Sequence, residues 1–212
     1  MLRALARLVL SGTIAAAAAA CQPPGDEAVD VTVIGEAAPA LADPSAIALP
    51  APSEVLLANV AQGLVRFDAH GQIEPGLAER WNVSNDGLSY IFRLASGNWP
   101  DGRAINARDV ARLLNRQLRS ASRNPLKDTL GAVSEIVAMT DRVIEIRHTV
   151  QRPNLLQLLA QPQLADVREG QGTGPFVIDQ KQDMPGAISM SRTIPVLDDE
   201  ERVEHLHLRS AA

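Results

Sequence analysis

Residues 75–94 read PGLAERWNVSNDGLSYIFRL, and residues 99–110 read WPDGRAINARDV. In the first stretch Leu88, Tyr90, Phe92 and Leu94 alternate with Ser89, Ile91 and Arg93, which is the period of a strand with one buried face. Asn85-Asp86-Gly87 supplies the turn before it. In the second, the Asp101-Gly102 turn leads to Asn106, an N-cap for a helix from Ala107 to about Leu118. Asp109 sits in the first turn, where a carboxylate opposes the helix dipole, and Ala107, Val110, Ala111, Leu114 and Leu118 form the inner stripe. Neither stretch carries a nucleophile, a metal-ligand spacing or a phosphate loop, so the pattern is that of a scaffold.

The rest of the chain organises around this centre. Val31–Ile34 reads as a short strand and 36–52 as an irregular Ala/Pro-rich loop. Ser53 reads as the N-cap of a helix through Leu56, Leu57, Val60 and Leu64, with Gly63 near its end. Val65–Asp68 is a brief strand turned at His70-Gly71. Residues 132–138 and 142–148 read as a hairpin, followed by a helix from Asn154 to Ala160 behind Pro153. Strands are expected at 176–179, 187–191 and 203–208.

At the N-terminus, Arg3 and Arg7 precede an uncharged run from Leu8 to Ala20 and then Cys21, the one cysteine of the sequence. This is signal-peptide architecture, and the run falls short of the roughly 20 apolar residues a spanning helix needs. The expected division is a leader at 1–20, a Pro/Gly/acid-rich tether at 21–30 and a folded body at 31–212. Two cleavage readings stand. Ala19 and Ala20 before Cys21 resemble a lipobox, which would lipidate Cys21 and anchor the protein to a membrane, although Ala18 stands where Leu is usual. An Ala-x-Ala cleavage would instead leave Cys21 an incidental thiol. Both export the chain to the periplasmic side of the cell envelope, and a lone cysteine forbids an intramolecular disulfide.

Composition excludes several functions. The chain has 212 residues, 46% of them hydrophobic, enough for a real core. A net charge of -5 and 3% aromatics leave no footprint for nucleic acid. Gly170, Gly172 and Gly174 form a G-x-G-x-G run, but Pro175 and a β-like segment follow instead of a helix, so it reads as a turn into a strand. His205 and His207 share one face of a strand and read as an exposed edge pair rather than metal ligands. The acidic run 198–201 reads as a solvated loop; Arg108, Arg112 and Arg116, at i, i+4 and i+8 on their helix, read as a solvated face that could alternatively bind an acidic partner. No catalytic residue, metal site or cofactor is expected, and a secreted hydrolase would rest only on scattered acids and histidines.

With the elements placed, AQGLVRFDAHGQIEPGLAERWNVSNDGLSYIFRL followed by DGRAINARDV resembles the extracellular solute-binding proteins of family 5, the peptide class of ABC importers. The resemblance is carried by Gly63 and Leu64; by Pro75, Leu77, Ala78, Glu79 and Trp81; by Asp86, Gly87, Leu88, Tyr90 and Phe92; and by Asp101, Gly102, Ala107, Asp109 and Val110. GTGPFVI, residues 172–178, resembles the family's Gly-Thr-Gly-Pro-aromatic turn. The resemblance implies a mixed α/β fold, the first lobe of a clamshell of the periplasmic-binding-protein type II kind. It implies a solute held between lobes, a peptide, nickel complex, sugar or opine-like compound, and an ABC permease complex as partner. Members of the family run to more than twice this length, so it also implies a second lobe missing from this sequence and an incomplete cleft. The other function to test is an interaction lipoprotein that keeps the first-lobe scaffold, or one half of a split binding protein completed by another chain.

Overall fold

A computed structural model describes residues 28–168, 170–179, 186–196 and 201–212. The leader 1–20, Cys21 with tether residues up to 27, and acidic residues 198–200 lie outside the described residues. The first strand, β1, spans Val29–Ile34, beginning at Val29 rather than Val31. The class is mixed α/β, with two four-stranded sheets and a two-stranded ribbon.

The quoted stretch builds the first sheet. Strands β4 (Ala78–Val83), β5 (Ser89–Leu94), β6 (Val133–Thr140) and β7 (Val143–His148) pair antiparallel in the order β4-β5-β7-β6. Phe92 lies opposite Ile144 and Tyr90 opposite Ile146, and these four side chains are buried. Helix α2, Ala107–Leu118, covers them with Ala107, Val110, Ala111 and Leu114. Its cap forms as the residue types require: Asn106 Oδ1 accepts from the Asp109 N–H at 2.9 Å. The stripe differs in one place, because Gln117 is buried while Leu118 is only half-buried; Gln117 has polar partners waiting for it.

Strand β4 was not expected from the Pro-Gly-Leu-Ala-Glu-x-Trp stretch. It is an edge strand in which Glu79, Arg80 and Asn82 are exposed, and the pairing shifts between Ala78 and Arg80, so strict alternation is lost. Trp81 pairs opposite the buried Phe92 but, on this outer strand, is itself only half-buried. The short strands β2 (Val65–Phe67) and β3 (Ile73–Pro75) form the ribbon that leads into it.

The second sheet has the order β1-β10-β9-β8, from β8 (Val177–Ile178), β9 (Ala187–Pro195) and β10 (Glu201–Ala211). Its inner face packs Met190, Leu208 and nearby Phe176 on Leu56 and Val60 of helix α1, Ala51–Val60. The other side of α1 meets Ala165 and Val167 through Leu57 and Ala61. Ser53 does not cap α1. The N-cap is Pro50, since prolines fit the first helical turn, and Ser53 Oγ instead accepts from the Ala40 N–H at 3.1 Å. Gly63 likewise does not end the helix: Ala61 is the C-cap, and a Cβ at Gly63 would lie 2.8 Å from the Leu159 carbonyl oxygen of α3, Leu155–Leu159. His205 and His207 are not an edge pair, because β10 lies between β1 and β9.

Candidate solute cleft

Two adjoining hollows share Leu41 and Gly170 in their walls. One, of about 370 Å³, lies between residues 41–43, the Leu113 and Arg116 flank of α2, and Val167, Arg168 and Gly170. The other, of about 330 Å³, is lined by Val60, Pro100, Gly172 and the segment from Phe176 to Ile178.

The glycine run is held here by the end of α1. A helix leaves its last carbonyls without intrahelical partners. The Gly174 N–H reaches the Val60 carbonyl at 2.9 Å and the Phe176 N–H reaches that of Asn59 at 3.1 Å. A Cβ at Gly172 or Gly174 would run into Val60 and Ala61, so the close approach demands glycine. Gly170 turns the chain at φ 74.

Asp43 organises the opposite wall. Its Oδ1 accepts from the Ser45 N–H at 2.9 Å, the Ser45 hydroxyl at 2.7 Å and Gln117 Nε2 at 3.2 Å, while Oδ2 lies 2.7 Å from Arg116. Gln117 Oε1 accepts from Asn124, which also donates to the Gln163 carbonyl at 2.6 Å; Gln163 donates in turn to Glu54 at 2.8 Å. This network ties the long loop to both helices. Arg168 forms a second clamp, 3.6 Å from Asp101, 3.5 Å from Asp109 and over the Trp99 ring. Both arginines of the cleft wall are thus neutralised by carboxylates. Behind it, Asp166 is fully buried with no hydrogen-bond partner for either oxygen; burial pushes its carboxyl well above the ordinary value of 3.8, against an opposing pull from Arg116. Each guanidinium of the wall faces a carboxylate.

The motif residues do not converge. Gly63 and Leu64 accept through their carbonyls from Leu77 and Ala78, at 2.9 Å each, joining two turns beside exposed Pro75. Asp86 accepts from Ser84 at 2.6 Å and from the Leu88 N–H at 3.0 Å, bonds that hold its carboxyl below the ordinary value, and Gly87 follows at φ 69. Tyr90 donates its hydroxyl to the Arg152 carbonyl at 2.9 Å, and Phe92 and Val110 are completely buried. Gly102 turns at φ 83. Only Asp101 and Asp109 reach the cleft, through Arg168. Sequence reasoning missed Asp43, Arg116, Asp166 and Arg168 as a group; an Asp-Pro pair inside a long loop was the one local signal.

The described histidines do not line the cleft. His148 is buried edge-on against Tyr90, and burial lowers its basicity. His205 lies 3.9 Å from Asp179, and His207 3.3 Å from Asp30. Among the described residues, no group of three or more His, Cys, Asp or Glu is placed to hold a metal, and no helix is long and apolar enough to cross a membrane.

Residues 72–187 match the bacterial extracellular solute-binding proteins, family 5, and the chain belongs to that family. A di/tripeptide-binding protein of Pseudomonas aeruginosa is 32% identical over 142 residues, covering 50% of this chain and 27% of that relative. The probable deoxycholate-binding periplasmic protein YgiS of Escherichia coli is 38% identical over 72 residues, covering 34% and 13%. Among solved structures, the AgaA protein of A. tumefaciens R10 in complex with agropinic acid superposes with a TM-score of 0.71 at 20% identity, covering 87% of this chain and 40% of that one. A peptide complex of Haemophilus influenzae OppA gives 0.71 at 18%, covering 87% and 42%. The chain therefore spans about two fifths of the structures it matches, and over that span it has the fold of the periplasmic-binding-protein clamshell.

Proposed function

We propose that the chain supplies one wall of the solute cleft in the exported binding component of a peptide-type ABC importer. The observation that supports this reading is the ion-paired cleft wall, in which Arg116 and Arg168 are held by Asp43, Asp101 and Asp109 while Leu41, Phe176 and the glycine backbone line the hollow. Such a wall suits a short peptide, whose side chain fills an apolar hollow while main-chain groups fix its direction. The relatives' solutes, di/tripeptides and deoxycholate, differ in polarity, so the scaffold alone does not choose among them. Lipidation of Cys21 and docking on an ABC permease belong to the same reading.

One wall leaves a bound solute open to water, so the 212-residue chain is expected to bind short peptides only at millimolar concentration. An NMR titration with mixed dipeptides up to about 10 mM tests this, with shifts expected at residues 41–43 and 170–176. Shifts absent there, or micromolar binding by a monomer, would overturn the reading.

A further inference from the structure

The two flanks of α2 face different surroundings. Arg116 and Leu113 look into the solute cleft, while Arg108, Arg112, Asn115 and Arg119 line a separate open groove of about 460 Å³ on the other flank, with Ala111 and Ala138 of β6 leaving the space. These four positions step by four, three and four residues and so share one face, about 16 Å long at the helical rise. We propose that this groove is a docking site for an extended acidic polypeptide segment of a partner protein. The proposal is independent of the solute reading.

The first support is the gathering of free arginines in one place: among the described residues Arg80, Arg123, Arg152 and Arg209 also make no ion pair, but none of them lines the groove, whereas Arg108 and Arg119 both do. Arg66 pairs with Glu74, Arg93 with Glu79, Arg147 with Glu135 and Glu145, and Arg192 and Arg202 with Glu204. Arg116, on the same helix, is held by Asp43. In the groove Arg112 has only Asp109, at 3.0 Å and with its own side chain 67% exposed, and Arg108 and Arg119 make no ion pair among the described residues. Glu135 and Glu145 do not neutralise the groove, since they bond Arg147 on the opposite face of the sheet from Ile136 and Ala138, which face α2. In a chain of net charge -5, two guanidiniums without an ion pair on either side of Arg112, which shares Asp109 with Arg168, make a local excess of positive charge, which selects an acidic partner and repels basic ones.

The second support bears on the partner's form. The strand beside the groove, β6, is the outer strand of its sheet, contributes Ala138 to the lining and accepts from Asn115 at its Ile136 carbonyl at 3.1 Å, so the groove runs beside a sheet edge. An extended polypeptide can follow such an edge while its carboxylates reach the guanidiniums in bidentate pairs. A lipid surface would need a broad basic plane, and this row is one helix wide.

The test uses the full 212-residue chain and a fluorescein-labelled hexaglutamate peptide, followed by anisotropy in about 20 mM and about 300 mM NaCl. The parent is expected to bind at low salt, with hexalysine inert. The combined variant Arg108→Gln, Arg112→Gln, Arg119→Gln should bind at least about tenfold more weakly. A control removing the same charge elsewhere, Arg80→Gln, Arg202→Gln, Arg209→Gln, should stay within about twofold of the parent. Thermal melts monitor folding, and single Arg119→Gln keeps the comparison valid if the combined variant melts early. Equal losses in both combined variants, or no hexaglutamate binding by the parent, would overturn the proposal. Binding to phosphatidylcholine vesicles carrying phosphatidylglycerol without binding to hexaglutamate would assign the face to a lipid surface instead and equally overturn it.

Discussion

Replacing Asp166 by Asn should stabilise the protein at neutral pH and do nothing in acid. Asp166 is completely buried behind the cleft wall, and neither oxygen has a hydrogen-bond partner. Burial raises its carboxyl well above 3.8, with Asp43 adding to the rise and Arg116 opposing it. In the unfolded chain the group ionises near its ordinary value. The folded state therefore holds a proton that the unfolded state gives up, so stability is fully present below about 3.8 and is lost as pH climbs through the folded value. Within that window the loss runs at about 1.4 kcal/mol per pH unit. Asn is nearly the same shape and never ionises. Its buried amide carries the same order of desolvation cost as the neutral acid, about 1–3 kcal/mol, so that part cancels. Urea unfolding of parent and variant between about pH 4 and pH 7 measures the difference, in which all shared carboxylates drop out. The two should coincide near pH 4 and diverge in favour of Asp166→Asn as pH rises. A pH-independent difference, or a variant weaker than the parent at pH 7, would refute the reasoning by showing Asp166 ionised and paired in the folded state.

Other outcomes follow from packing and processing. Phe92→Ala should cost about 3–5 kcal/mol in urea unfolding, because the ring is completely enclosed between β7 and α2; a parent-like midpoint would place Phe92 outside the core. Gly174→Ala should cost about 1–3 kcal/mol, since the added methyl meets the Val60 and Ala61 backbone, which cannot yield without breaking the bonds that cap α1; an unchanged melting temperature would mean the loop is free to move off the helix. On the proposed lipidation of Cys21, Cys21→Ser should release the protein from membranes in fractionated cells; unchanged membrane association would remove the lipid anchor from the reading.

Where one face of an element is buried and the other wet, the residue pattern alone determined the element. The β5 alternation placed Tyr90, Phe92 and Leu94 inward, and the Asn106 cap with its apolar stripe placed α2 at Ala107–Leu118. These signals are local: a pleat of period two, a helix of period 3.6 and a side-chain oxygen at N-cap act within a few residues. Strand β4 escaped because an edge strand with a bulge buries too little to impose alternation, and Ser53 misled because its hydroxyl found a distant N–H at Ala40 in place of a capping one. The place of β10 inside its sheet depended on β1, far away in the chain, pairing parallel to it. The cleft was decided by tertiary structure alone. Asp43, Arg116, Asp166 and Arg168 come from a loop, a helix flank and a second loop, and apart from the Asp43-Pro44 pair nothing within any one segment marks them; ion pairing, burial and the shape of the hollow arise only once the segments meet, since Coulomb attraction and desolvation depend on distance in space rather than along the chain.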